Sequence, residues 1–347
     1  MFINWAHFII PKIFFICSFI FNPVFVYLIG TERKFQFGDY KYLLYFFATF
    51  NMIASIADLL VPVVGFIRKE IWQRSVFQCV HSYRYATVFF TVGGPFLERS
   101  DLAETLIAFR CAFISGTYGI LNSHFIFRFM ILRNNHFVAR YFFPYGLLSA
   151  IFLVVFHIAA WGVVADYTMH PSEESRKYAK KSFEHAFGGN IEDVNMKITI
   201  FSESSADDVF RSWLGAIIVT ILASYSVTLY FTLGYKIMIG LNKTSTSLSP
   251  KTTQMQKRLF MALFVQTVIP ICVSFLPCIL VLFGSAFRID FAGWVNWISS
   301  VAVSTFPVLD PMAIIFCLPA LRQRLFKRFG LEVPLNSNNQ VQSISRI

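Results

Sequence analysis

Residues 292–318 read AGWVNWISSVAVSTFPVLDPMAIIFCL, and residues 319–329 read PALRQRLFKRF. The first stretch carries a single charged residue, Asp310, and exceeds the roughly 20 apolar residues that an α-helix needs to cross a bilayer. The second turns abruptly basic. On a helix, Leu321, Leu325, Phe326 and Phe329 share one face and the basic residues the other, the pattern of a short helix lying in a membrane interface. An apolar run that ends on such a segment reads as a membrane span arriving at the cytoplasmic leaflet, where anionic lipid attracts Lys and Arg.

Working outward, the same pattern recurs along the chain. Seven apolar stretches are long enough to span: Phe8–Gly30, Leu43–Ile67, Leu102–Leu132, Phe143–Ala165, Trp213–Ile239, Leu259–Gly284 and Ala292–Leu318. Composition agrees. Of the 347 residues 56% are hydrophobic and 14% charged, and Phe alone accounts for 42; a soluble domain carries about 25% charged residues. The expected fold is an all-α bundle of seven transmembrane helices over residues 1–318, followed by an interfacial helix at 319–329 and a disordered polar tail at 330–347. No basic segment precedes the first run and no small-residue cleavage site follows it, so a retained span is expected rather than a signal peptide. The third stretch is the least uniform, because Glu104 and Arg110 fall in its first turns. An eighth apolar stretch, Tyr85–Leu97, contains Gly93-Gly94-Pro95 and is too short to cross, so a loop of re-entrant form is expected there.

Loop charge gives the bundle a direction. Segments 31–42, 133–142, 240–258 and 319–347, with Lys236 at the rim of the fifth span, carry Arg33, Lys34, Lys41, Arg133, Arg140, Lys243, Lys251, Lys257, Arg258, Arg322, Arg324, Lys327, Arg328 and Arg346. Only Glu32, Asp39 and Glu332 oppose them. The other loops are nearly balanced. The N-terminus is therefore expected outside and the C-terminus in the cytoplasm, and the net charge of +11 belongs beside lipid headgroups rather than nucleic acid. The long loop between the fourth and fifth spans, about Asp166 to Arg211, is outside and has no cysteine.

Charge within a span is costly and needs a reason. Lys12, near an outer end, can snorkel. Asp58, counted as mid-span, and Asp310 suggest a polar site shared at depth, able to hold a cation, a proton or waters. Arg128, in HFIFRFM (124–130) near the inner end of the third span, cannot lose its charge; it either snorkels or ties helix ends together in one state and meets a cytoplasmic partner in another. Pro270 and Pro277 in the sixth span, and Pro307 and Pro311 in the seventh, each remove a backbone hydrogen bond and mark helices able to pivot. No nucleophile paired with a base, no Gly-rich phosphate loop and no spacing of metal ligands occurs. No enzyme activity, cofactor or resident metal is expected, apart from the cation that Asp58 and Asp310 could hold.

These features together resemble a known receptor class. NPVFVYLI (22–29), YKYLL (40–44), HFIFRF (124–129), QTVIP (266–270) and FPVLDP (306–311), in this order, look like the nematode Str family of serpentine chemoreceptors. That resemblance implies a G-protein-coupled receptor for odorants or other chemical cues, in the plasma membrane and cilia of sensory neurons. Within it Arg128 matches the family's arginine, with Phe127 and Phe129 where tyrosines are usual, and Asp310-Pro311 matches the span-seven Asp-Pro.

The expected mechanism follows. A small apolar ligand enters among the outer halves of spans three, five, six and seven, where Cys111, Ser115, Tyr118, Phe275, Trp294 and Trp297 are candidate contacts. Spans six and seven pivot at their prolines. Arg128, with Lys251, Lys257 and Arg258, then meets a heterotrimeric G protein. The alternative is an ion channel or transporter that uses Asp58 and Asp310 as a path.

Overall fold

The computed structural model describes residues 2–32, 38–61, 80–91, 98–133, 140–244, 250–289, 294–328 and 330, and for 2–9, 11, 244, 250–252 and 294–301 the backbone alone. Seven long helical segments form the membrane part. They are α1 (Phe2–Gly30), α2 (Tyr40–Leu60), α3 (Asp101–Leu132), α4 (Leu147–Thr168), α6 (Ala206–Thr244), the pair α7 (Pro250–Pro270) and α8 (Leu276–Ala286), and α9 (Trp294–Cys317). The protein is an all-α seven-transmembrane bundle. The short helix α10 (Pro319–Arg328) follows, bent by 101° from the end of α9.

Exposure follows the solvent. Phe152 is 72% exposed, Phe231 69% and Ile221 64%, and a chain in water would not leave such a belt uncovered. The core is set between helices, where Phe25, Leu43, Phe47 and Ile120 are wholly buried. α3 is the central post. Its Gly119 faces α4 so closely that an added Cβ would lie 3.0 Å from the Val154 Cα, and this permits tight helix contact within lipid. Arg324 on α10 pairs with Glu32 at 3.0 Å and donates to the Thr31 carbonyl at 2.6 Å, which ties the interfacial helix to the inner end of α1.

The apolar stretch at Tyr85–Leu97 is not a re-entrant loop where it is described. Ala86–Phe90 is strand β2, paired antiparallel with β1 (Val80–Tyr83) on one side and β3 (Met196–Ile200) on the other. The reason lies in the distant loop. β3 and helix α5 (Glu173–Phe187), with the short turn at Ile191–Asp193 between them, come from residues 166–211 and bring Phe183, Phe187, Ile191 and Ile198 against Val88 and Phe90. The apolar strand therefore finds a small protein core instead of lipid. Gly93-Gly94-Pro95 lies outside the described residues, as does the tail at 331–347.

The prolines act unequally. Span six breaks after Pro270 into a π-turn, Ile271–Phe275, before α8 continues. Span seven does not break; α9 runs through Pro307 and Pro311. Pro311 has no N–H to offer the Pro307 carbonyl, and Asn22 on α1 supplies the missing donor from Nδ2 at 3.0 Å. The expected pair of hinges is thus reduced to one.

Candidate functional site

Two candidate regions lie at opposite ends of α3. At the outer end, the sheet and α5 form a cap. Ser100 caps α3 by accepting from the Ala103 N–H. Glu104 in the first turn meets Arg176 of α5 at 2.5 Å, with side chains 5% and 2% exposed, and Arg176 also donates to the Ile191 and Val194 carbonyls. Lys197 of β3 pairs with Asp166 at the end of α4 at 2.7 Å. The cap is joined to span six as well. Thr87 of β2 lies 2.5 Å from the Ser285 hydroxyl of α8, and that hydroxyl reaches the Ala86 carbonyl at 3.3 Å.

Beneath this cap is a cavity of about 90 Å³. Val80 and Phe89 of the sheet roof it, Ile107 and Cys111 of α3 and Trp161 of α4 wall it, and Cys278, Val281 and Leu282 of α8 close the far side. Of the residues expected to touch a ligand, Cys111 lines it. Ser115 does not; its hydroxyl lies 3.2 Å from His157 Nδ1, in the packing of α3 on α4. Tyr118 and Phe275 sit deeper, edge to face at 6.2 Å, joining α3 to the π-turn. The side chains of Trp294 and Trp297 lie outside those described. Span four enters the cavity through Trp161, Ala165 and Met169, and the sheet through Val80 and Phe89, while no described residue of span five lines it. Sequence reasoning missed Val80 and Phe89 because pairing with a strand from the distant loop places them, and it left span four out of the expected ligand site.

Asp58 does not share a site with Asp310. Helix α2 ends at Leu60, and its C-cap is Val61, so Asp58 lies in the last turn rather than mid-span. There it pairs with Arg110 of α3 and accepts from the Ser304 hydroxyl at 2.6 Å. Helical rise puts it about 10 Å outward of Asn51, the α2 residue that interacts with Asp310. Asp310 is wholly buried, and the side-chain amides of Asn51 and Gln266 interact with its carboxylate. Each carboxylate thus has its own surroundings, and among the described residues no continuous acidic path links them.

The inner region centres on Arg128. It is 6% exposed and does not snorkel. Its guanidinium stacks on the Tyr40 ring at 4.2 Å, and Nη1 donates to Gln256 Oε1 on α7 at 2.9 Å. Nε and Nη2 have no hydrogen-bond partner. Tyr40 is itself held by His124 Nδ1 at 2.8 Å and stacked on Phe127 at 5.3 Å. Phe127 therefore serves without a hydroxyl as a surface for Tyr40. Lys257 and Arg258, next to Gln256 along the chain, are exposed; the side chain of Lys251 lies outside those described. A second hollow, about 300 Å³, opens between the inner ends of α3 and α6 beside Arg133, Lys236 and Lys243.

Comparison with known proteins agrees with this architecture. The family described as "Serpentine type 7TM GPCR chemoreceptor Srj" matches residues 1–325. "Serpentine receptor class J-38" of Caenorhabditis elegans is 33% identical over 322 residues, covering 93% of each chain. "Serpentine receptor class r-10" of Caenorhabditis briggsae is 24% identical over 95% of this chain and 92% of its own. "G-protein coupled receptor str-33" of C. elegans is 23% identical over 92% and 90%.

Proposed function

The chain belongs to the Srj family of nematode serpentine seven-transmembrane chemoreceptors, and from that premise we propose that it binds a small-molecule cue beneath the outer cap and passes the change to a heterotrimeric G protein at its inner face. It is a multi-pass membrane protein of a receptor family; its proposed place is the plasma membrane of chemosensory neurons, in their cilia.

The observation that carries this reading is the tie of Arg128 on span three to Gln256 of span six and to the Tyr40 ring of span two. It closes the inner end with neutral partners, so the arginine can be released without parting an ion pair. Span six joins the two ends. Cys278, Val281 and Leu282 face the outer cavity, the π-turn at 271–275 follows inward, and Gln256 holds Arg128 at the far end. A ligand pressing on α8 acts on a helix interrupted by a π-turn whose inner arm carries the lock, and only differential contact with two states shifts their balance. Released, Arg128 would meet the G protein together with Lys251, Lys257 and Arg258. The alternative of an ion path finds no support, because Asp58 already has its own cation.

Arg128→Ala in a cell reporter tests the reading. The variant should reach the surface and lose most of its ligand-dependent signal. A surface-expressed variant with a wild-type dose response would remove Arg128 from the mechanism.

A further inference from the structure

Positive charge gathers at one place on the inner face. The hollow between the inner ends of α3 and α6 is lined by Phe129, Leu132 and Arg133 on one side and by Lys236, Ile239 and Lys243 on the other. Arg133 and Lys236 come from different helices onto the same ring, lying 5.3 Å and 5.9 Å from the centre of Phe129. Both are exposed, as is Lys243. Among the described residues, none that lines the hollow is acidic. The stretches that lead away from it, RNNHFVAR (133–140) and KTSTSLSPKT (243–252), contain no acidic residue either.

Helix ends explain part of this. Arg133 is the C-cap of α3, and Lys243 lies in the last turn of α6, where cations complement the helix dipole. That effect fades beyond the last turn, and Lys236 lies about two turns from the end of α6 at Thr244. A surface that needed only to be basic would spread its cations, because like charges at short range repel. Here two of them share one aromatic ring, an arrangement that gains from an anion set between them.

Position selects the anion. Tyr225, Lys236 and Lys243 follow one another at about three and about two turns, and so share one side of α6. Tyr225 stacks on His157 of α4 at 6.2 Å, so this is the side that faces α4 within the bilayer. Arg128 turns toward Gln256 of α7, and Arg133 stands about 140° further round α3. The hollow is therefore apart from the contacts of Arg128, on the flank that α4 covers at depth. Leu229, partly buried, and Tyr225, 47% exposed, lead outward from it along α6 and offer a path for an acyl chain. A volume of about 300 Å³ equals roughly ten water volumes, room for a sugar phosphate.

We propose that this hollow binds the headgroup of an inner-leaflet phosphoinositide, with a phosphomonoester between Arg133 and Lys236 and the acyl chains toward Leu229 and Tyr225. A phosphomonoester carries about two negative charges near neutral pH, and it meets Arg and Lys through strong charge-assisted hydrogen bonds. Basic pockets between membrane helices on the cytoplasmic side suit such headgroups.

The experiment uses purified full-length receptor in detergent micelles. It is titrated with phosphatidylinositol bisphosphate, phosphatidylserine and phosphatidylcholine, and retained lipid is read by native mass spectrometry. The bisphosphate should be retained most tightly. Lys236→Gln and Arg133→Gln should each weaken its retention by about fivefold, the scale of one basic residue beside an anionic lipid. Both side chains are exposed, so both variants should keep the wild-type melting temperature. Lys327→Gln removes an exposed cation from α10 and should leave retention unchanged. Equal retention of phosphatidylserine, or an equal loss in Lys327→Gln, would mean attraction to the basic face as a whole and would overturn the proposal. Soluble inositol trisphosphate that displaces the lipid at equal concentration would make the ligand a free phosphate and overturn the lipid. Unchanged retention in Lys236→Gln and Arg133→Gln overturns the site. If those variants instead lose coupling in a G-protein reporter, the hollow is a protein contact.

Discussion

Arg110 and Arg128 lie on one helix, separated by about five turns and about 27 Å, and so project from the same face of α3. Both are buried, and both reach a neighbouring helix. Their partners differ. Arg110 meets a carboxylate, Asp58 of α2, which is held in turn by Ser304 of α9. Arg128 meets a tyrosine ring and the amide oxygen of Gln256. An ion pair in a low-dielectric setting is costly to part, since each charge is left without compensation. An arginine on neutral acceptors loses far less when it moves, provided that water or another partner takes their place. The outer arginine is built as a clamp, and the inner one as a latch.

The largest effect should come from breaking the clamp. Asp58→Ala leaves the Arg110 charge in the bundle without its carboxylate and is expected to cost about 3–5 kcal/mol, as for one partner removed from a buried pair. In a membrane receptor of ordinary stability, surface expression and detergent thermostability should both collapse. Asp58→Ala combined with Arg110→Met removes both charges and should recover most of the loss. If the single variant is as stable as wild type, Arg110 has another counter-charge and the contrast with Arg128 disappears.

Breaking the latch should do something different at smaller cost. Gln256→Ala removes one hydrogen bond to a charged donor, worth about 1.5–3 kcal/mol. That is enough to shift a two-state balance by roughly tenfold or more. Because the bond belongs to the closed inner end, the expected result is raised basal signalling at normal surface expression. A fall in expression with no basal signal would place Gln256 among the structural contacts with Asp58.

The clamp and the latch were unequally legible in the sequence. Spans and direction follow from apolar runs and loop charge, which are local properties, and so the bundle could be read directly. Arg128 stood out because a fixed charge near a span end demands a partner. Its partner did not stand out. Gln256 lies in the basic approach to span six, where a glutamine is unremarkable until the fold brings it to 2.9 Å. The apolar run continues past Leu60 and so suggests a mid-span Asp58, whereas the helix stops at Leu60. Its pairing with Arg110 joins residues 52 apart in sequence, and no local pattern encodes it. The cap was hidden for the same reason. Ala86–Phe90 pairs with Met196–Ile200, and a strand in a long polar loop becomes visible only with its partner. Pro311 illustrates a further limit. Its missing N–H predicts a hinge, but Asn22 fills the gap from another helix.

The smallest expected effect is one of pH, and it tests whether the outer end is the rigid one. His81 of β1 packs on Phe187 at 5.3 Å and Phe183 at 6.3 Å, and its Nε2 lies 2.9 Å from the Ser182 hydroxyl. The described groups against it are thus two aromatic rings and a hydroxyl, with no carboxylate among them. Burial holds its pKa down from 6.5 to about 4. The folded cap therefore keeps the imidazole neutral, while the unfolded chain takes up a proton below pH 6.5. The unfolded state binds more protons in that interval, so stability falls as pH drops from 6.5 toward 4 and is insensitive to this group above 6.5. A His81→Gln variant, which keeps a polar partner for Ser182 but cannot be protonated, isolates the histidine. The wild-type melting temperature in detergent should drop more steeply than that of the variant between pH 6.5 and 4, and the two curves should run parallel above 6.5. Equal slopes would mean that His81 meets water in the native cap. A cap open enough for that could not seal the cavity beneath it, and the clamp at Arg110 would then have to hold the outer end alone.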